Sequence, residues 1–294
     1  MFELEGYHGE AIRSMIRGWL AEDIGYGDIT TESTIPEDSL QKAVIHVKED
    51  GVLAGLPVAR LVFHVVDPTL EFRALAEDGQ RVARGTVIAE VEGRTRSILT
   101  GERLALNLLQ RMSGIATKTR RYVDALEGLP VRLVDTRKTT PGHRLLEKYA
   151  VRMGGGANHR FGLYDAVMIK DNHIKGAGGI RAAVEAARAR IPHTMTIEVE
   201  TETIEQVAEA LDAGADIIML DNMPPAGMAE AVRYIRERAP HVKIEASGGV
   251  RLETIREIAA TGVDIISVGG LTYSFESLDI SLDLGGKKPG GTRA

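Results

Sequence analysis

Hydrophobic residues in the second half of this chain come in short runs, each closed by a polar residue or a glycine. Six stand out: VRLVD ending at Asp135, AVMIK at Lys170, TIEVE at Glu200, IIMLD at Asp221, KIEAS at Ser247 and IISVG at Gly269. Between most of them lie stretches of helical period, namely IRAAVEAARARI, IEQVAEALDAG, GMAEAVRYIRERA and LETIREIAATG. Buried β-branched runs that alternate with amphipathic helices predict parallel βα units. The runs end 35, 30, 21, 26 and 22 residues apart, spacings that suit such units. The expected fold is therefore α/β, an incomplete or closed parallel α/β barrel. Six strands are visible, and a seventh or eighth is inferred from the usual closed form.

The front of the chain follows another pattern. Residues 11–21 have helical spacing, and a polar glycine-rich loop, DIGYGDITTE, comes next. The runs AVIHVKED, FRALAEDG and TVIAEVEG then alternate and are punctuated by Asp78-Gly79 and other glycines, as strands joined by turns. Leu104, Leu108 and Met112 share one face of a long helix over 100–126, with a break expected at Gly114. This predicts an N-terminal α+β domain over 1–112 and a barrel domain over 113–274. A C-terminal segment, 275–294, is expected to return to the N-terminal domain and to end in a flexible tail, GGKKPGGTRA. VKEDGVLAG and AEDGQRVARGTVIAEVEG are also similar to the half-repeats of biotinyl and lipoyl carrier modules. The lysine-bearing turn of those modules is missing here, so the likeness extends only to β-architecture.

Composition narrows the function classes. At 294 residues, 44% hydrophobic and 27% charged, the chain has ample core for such domains. Its net charge of −6 argues against general binding to nucleic acid or to membrane surfaces. No apolar run approaches the roughly 18 residues of a membrane span. The acidic, polar start, MFELEGYHGEAIRSM, is unlike a signal peptide, so a cytoplasmic protein is expected. The absence of cysteine excludes disulfides, thiolate metal sites and cysteine nucleophiles. Charge is nevertheless uneven. From Asp135 to Lys175, eight Lys/Arg stand against four acids, a local +4 that leaves −10 for the rest. A cationic block in an acidic protein suggests a small anionic ligand, with a solvated helix face as the plainer alternative.

Barrel enzymes build their sites at the C-terminal ends of the strands. Here those ends carry Thr136, Arg137 and Lys138, then Lys170, Glu200, Asp221, Ser247-Gly248-Gly249 and Gly269-Gly270. Arginine offers a planar fork for carboxylates, and lysine a point charge for phosphate or carboxylate. His159 and Arg160 enlarge the cationic group. Glu200 and Asp221, one βα repeat apart, could hold Mg²⁺ or stabilise a developing cation; they could equally pair with the cations opposite. The glycine-rich turns in EASGGV and SVGG suit a phosphate held by backbone N–H groups. These residues together point to a ligand with several carboxylates or phosphates.

On these residues the chain resembles the quinolinate phosphoribosyltransferase family. The likeness is carried by DTRKTTPGHRLLEKYAVRMGGGANHRFGLYDAVMIKDNH, EDIGYGDIT, TGERLALNLLQRMSGIAT, IEVE, IMLDN, EASGG and SVGGLT, in that family's order from about residue 22 to about 274. The resemblance implies decarboxylating phosphoribosyl transfer in NAD biosynthesis. Quinolinate and 5-phosphoribosyl-1-pyrophosphate would give nicotinate mononucleotide, pyrophosphate and CO₂, with Mg²⁺ as cofactor. It implies quinolinate held by Arg103, Arg137, His159, Arg160 and Lys170, with Lys138 reaching the phosphoribosyl donor. Thr136 would join the substrate site, and Glu200 and Asp221 would face the ribose and the Mg²⁺-pyrophosphate. Ser247, Gly248, Gly249, Gly269 and Gly270 would hold the 5-phosphate. Lys138, Glu200 and Asp221 are the catalytic assignments. It also implies a homodimer, or an assembly of dimers, in which Arg103 enters the neighbouring site. One departure stands at Tyr273, where many members of the family read histidine. Rival readings are a Schiff-base aldolase barrel built on Lys170, a related transferase with another heteroaromatic acceptor, and an anion-sensing module without turnover.

Overall fold

The structure, a computed structural model, describes residues 7–285. The expected tail beyond Gly285 and the first six residues lie outside that range. In chain order the front of the protein forms α1 (Tyr7–Ile24), α2 (Ile29–Thr34), β1 (Leu40–Val47), β2 (Gly51–Val52) and α3 (Leu56–Val66). It continues with β3 (Glu71–Ala74), β4 (Arg81–Val82), β5 (Val87–Arg94) and α4 (Thr95–Ala125). Then come β6 (Arg132–Val134), α5 (Arg144–Met153), β7 (Val167–Ile169), α6 (Asp171–Ala177) and α7 (Ile180–Arg188). The remainder is β8 (Ile197–Thr201), α8 (Ile204–Asp212), β9 (Ile217–Asp221), α9 (Pro225–Arg238), β10 (Lys243–Ser247), α10 (Ile255–Ala260), β11 (Ile265–Ser267), α11 (Gly270–Tyr273) and β12 (Ile280–Leu284).

These elements make two compact units. One comprises the chain to Lys118, Leu145–Gly155 and the chain from Phe275; the other comprises Thr119–Arg144 and Gly156–Ser274. The first unit carries a four-stranded sheet in the order β12-β1-β5-β3, with antiparallel pairing throughout. α5 belongs to this unit, although its residues fall inside the sequence expected for the barrel. Asp28 caps α2 by accepting the Thr31 N–H at 3.0 Å, which turns the end of the expected DIGYGDITTE loop into helix.

α4 runs unbroken through Gly114, contrary to the expected break. Glycine serves there for space: a Cβ would collide with the Glu276 carbonyl oxygen and lie 2.9 Å from the Ser277 Cα. Leu104, Leu108 and Met112 are buried along the helix, as their spacing predicts.

The second unit holds a six-stranded parallel sheet in the order β6-β11-β10-β9-β8-β7. Each of the six predicted runs forms one strand. No seventh or eighth strand is found among the described residues. On the far side of β6 there is only a single bridge, Val134 to Ala157, made by Ala157 N–H to the Leu133 carbonyl at 2.9 Å and Asp135 N–H to the Ala157 carbonyl at 3.2 Å. The segment that would extend it begins MGGGANHR, where three consecutive glycines lack the side chains that stabilise a strand. The barrel is therefore the incomplete form.

Alternation along these strands prepares the site. Ile197, Val199, Ile218, Leu220, Ile244 and Ala246 are fully buried, and α7 and α8 pack over this side of the sheet. The alternate positions are Glu198, Glu200, Met219, Asp221, Glu245 and Ser247. Side chains of the second set crowd the inside of the sheet, and their polar chemistry collects there.

Candidate active site

A cavity of about 500 Å³ opens at the C-terminal ends of the parallel strands. Thr136, Arg137 and Lys138 enter it from the end of β6, Lys170 from β7, Glu200 from β8 and Asp221 from β9. Ser247, Gly248 and Gly249 line it beyond β10, and the loop before β7 supplies His159 and Arg160. Eleven of the fourteen residues singled out from the sequence thus share one cavity. Gly269 and Gly270 do not line it. Rather than a loose turn, they start the short helix α11. The backbone of Gly269 is nevertheless closely packed, since a Cβ there would come within 3.0 Å of Lys138 Cδ and 2.8 Å of Tyr273 Cε1. Arg103 is exposed on α4 in the other unit.

Only half of the cationic block reaches the cavity. Arg137, Lys138, Arg160 and Lys170 do so; Lys148 and Arg152 ride on α5 in the first unit, and Lys175 pairs with Asp171 at 3.1 Å. Arg144 is spent on structure, donating to Thr139 Oγ1 and to the Phe161 carbonyl at 3.0 and 3.1 Å.

The remaining cations are poised for anions. Arg160 is anchored through Nη1 to the Ala166 carbonyl at 3.0 Å. Burial, then the like charge of Arg137, holds its guanidinium below the ordinary arginine value. Arg137 Nε is buried with no hydrogen-bond partner. An anion placed between these two guanidiniums would relieve both conditions. On the facing strands, Lys170 Nζ donates to Glu200 Oε2 at 2.8 Å, so the pairing alternative holds for Glu200. That contact occupies the Lys170 amine, which a Schiff-base nucleophile would need free. Burial, then the charge of Glu200, raises the Asp221 carboxyl above the usual range.

Backbone geometry shapes the cavity wall around the end of β10. Gly248 and Gly249 have φ of +86° and +62°, and a Cβ on Gly248 would lie 2.3 Å from Asn222 Oδ1. Asn222 itself holds a positive φ of 54° while its Nδ2 donates to Asp221 Oδ2 at 2.6 Å and its N–H to the Ser247 carbonyl at 3.0 Å. Asn222 also lines the cavity, and sequence reasoning missed it although it directly follows Asp221 in IMLDN.

Two further groups were missed altogether. His159 Nε2 lies 3.3 Å from Glu198 Oε2 and 3.4 Å from Glu245 Oε2. Burial opposes charge on the imidazole, while its hydrogen bonds to the two glutamates favour it. Burial likewise raises Glu198, against the lowering effect of the His159 hydrogen bond. The Arg160 N–H points at His159 Nδ1 from 2.7 Å and requires a lone pair there. This contact keeps Nδ1 an acceptor and leaves Nε2 as the nitrogen that donates toward the two glutamates. The signal for both acids was their inward position within TIEVE and KIEAS, in the middle of a run rather than at its end.

Comparisons with known proteins agree with this geometry. The family profile described as quinolinate phosphoribosyl transferase, C-terminal domain, matches residues 115–283, and that of the N-terminal domain matches residues 28–113. A protein of Synechocystis sp. named probable nicotinate-nucleotide pyrophosphorylase (carboxylating) is 51% identical over 269 residues, which cover 92% of this chain and 91% of the relative. One of the same name from Bacillus subtilis is 47% identical, covering 93% of each. The solved nicotinate-nucleotide pyrophosphorylase of Francisella tularensis superposes with a TM-score of 0.89 at 41% identity, over 94% of this chain and 96% of that one.

Proposed function

The chain belongs to the quinolinate phosphoribosyltransferase family, and we propose that it joins quinolinate to 5-phosphoribosyl-1-pyrophosphate with loss of CO₂. The products are nicotinate mononucleotide and pyrophosphate, a step of NAD biosynthesis, and the expected compartment is the cytoplasm. One observation carries the reading: two adjacent guanidiniums, one with an unpartnered Nε, share one cavity with a pair of carboxylates. A dianionic acceptor suits the guanidiniums, and a phosphoribosyl donor with a divalent cation suits the carboxylates.

In this reading Arg137 and Arg160 hold the pyridine carboxylates, and Lys170 adds charge at the rim. Lys138, beside Gly269, meets the donor. Backbone N–H groups at Ser247, Gly248 and Gly249 receive the 5-phosphate, where the absence of side chains on the glycines permits close approach. Glu200 and Asp221 offer two hard oxygen donors on neighbouring strands, and the charge of one raises the other. That donor set fits Mg²⁺, which binds through one or two carboxylates together with substrate phosphates. When bound, Mg²⁺ would stabilise charge on the departing pyrophosphate.

The pyridine nitrogen attacks the anomeric carbon as the bond to pyrophosphate breaks, through a state of oxocarbenium character. Glu200 and Asp221 favour that positive charge. Once alkylated, the ring nitrogen is cationic and accepts the electron pair of the C2–carboxylate bond as CO₂ leaves. A proton then restores C2–H. Arg103 is assigned to the neighbouring site of a homodimer.

Calorimetry tests the acceptor. Quinolinate should bind, and nicotinate should bind at least about 100-fold more weakly, because a buried cation would be left without its carboxylate. Equal affinities would overturn the assignment.

A further inference from the structure

We propose that Glu198 and Glu245 are positioning residues of the acceptor pocket: together they clamp the His159 imidazole, which in turn fixes the Arg160 backbone. The proposal rests on the acceptor assignment above for what Arg160 receives, and on geometry alone for the clamp.

The two acids approach from opposite sides. Glu198 lies on β8 and Glu245 on β10, the two neighbours of β9, yet their Oε2 atoms converge on one nitrogen, His159 Nε2, at 3.3 and 3.4 Å. The other ring nitrogen, Nδ1, accepts the Arg160 N–H at 2.7 Å. Both nitrogens of a cavity-lining histidine are thus engaged within the protein. His159 therefore serves the acceptor through its position, in contrast to the direct hold that the family resemblance implies. The same segment is pinned from β6, since Asp135 Oδ1 accepts the His159 N–H at 2.8 Å and Oδ2 the Asn158 amide at 2.6 Å. From this anchored residue Arg160 extends to the cavity.

The clamp is built at a cost. Glu198 and Glu245 are 3% and 2% exposed, and each has an Oε1 without a hydrogen-bond partner. Two acids kept under such conditions, in strand positions where apolar residues would pack, indicate a demand beyond folding. The trio lies close enough together to hold a metal ion. A histidine ligating through Nε2 donates its other ring N–H, however, and here Nδ1 is an acceptor.

Glu198→Gln and Glu245→Gln separate the possible roles. If the carboxylates were only charges near a dianion, either change would tighten quinolinate. If they position His159, loss of the charge-assisted hydrogen bond weakens quinolinate by roughly tenfold and leaves the KM of the phosphoribosyl donor unchanged. Unchanged or tighter quinolinate binding in a folded variant overturns the proposal. Nitrogen-15 NMR of histidine-labelled enzyme without substrate, with His159 assigned by its loss in His159→Gln, reads the clamp independently. The expected signature is a proton on Nε2 and an acceptor Nδ1, unmoved by added Mg²⁺ or Zn²⁺. A proton on Nδ1, or a metal-induced shift, overturns it even where the glutamine variants fail to fold. A wild-type enzyme that binds no quinolinate but shows the signature would instead contradict the acceptor assignment.

Discussion

The Lys170–Glu200 contact at 2.8 Å joins, through one hydrogen bond, a cation proposed for the acceptor and a carboxylate proposed for the donor. Glu200→Ala would release the Lys170 charge toward an incoming dianion and remove a carboxylate from the reacting centre. The expected result is quinolinate binding that is intact or tighter, with kcat lowered roughly 10²–10³-fold. Asp221→Ala should lower kcat similarly without affecting quinolinate. Calorimetry with quinolinate alone, beside steady-state rates, reads both. Loss of quinolinate binding in folded variants would mean that the two acids orient the acceptor's cations. Residues at this scale were legible where a hydrophobic run stopped, as at Lys170, Glu200 and Asp221. Glu198 and Glu245 were not, because an acid inside a run looks like ordinary alternation until three strands bring it against His159.

Elements were legible where period and burial agree. Six apolar runs became six strands, because runs of that length bounded by turns can be buried in a parallel sheet. Gly114 shows where local reasoning stops. Its role depends on Glu276, far along the chain, and glycine's low helix propensity alone suggested a break. Gly114→Ala therefore sets two effects against each other. Propensity favours alanine by about 1 kcal/mol, while overpacking against the 276–277 backbone costs about 1–3 kcal/mol. The net expectation is a destabilised protein, measured as a lower urea midpoint with unchanged slope. A higher midpoint would show that the Glu276 segment yields easily. α5 carries the same lesson, since its membership of the first unit is decided by tertiary packing that periodicity does not reveal.

At the scale of the whole molecule, the proposed site draws on two chains. Arg103 is exposed on α4, and its assignment to a neighbour's cavity rests on family resemblance. Mixing inactive Arg103→Ala with inactive Lys138→Ala tests it. A mixed dimer gathers both lesions in one site and leaves the other intact, so activity should return toward a quarter of wild type at full exchange, on the order set by random pairing. No recovery despite proven subunit exchange would place Arg103 in its own chain's site. The central claim is that one cavity couples phosphoribosyl transfer to decarboxylation. Its most direct test is the product stoichiometry with quinolinate labelled at the C2 carboxylate. Pyrophosphate and labelled CO₂ should appear in equal amounts, each dependent on the phosphoribosyl donor. CO₂ released without donor, or pyrophosphate formed without CO₂, would contradict the account.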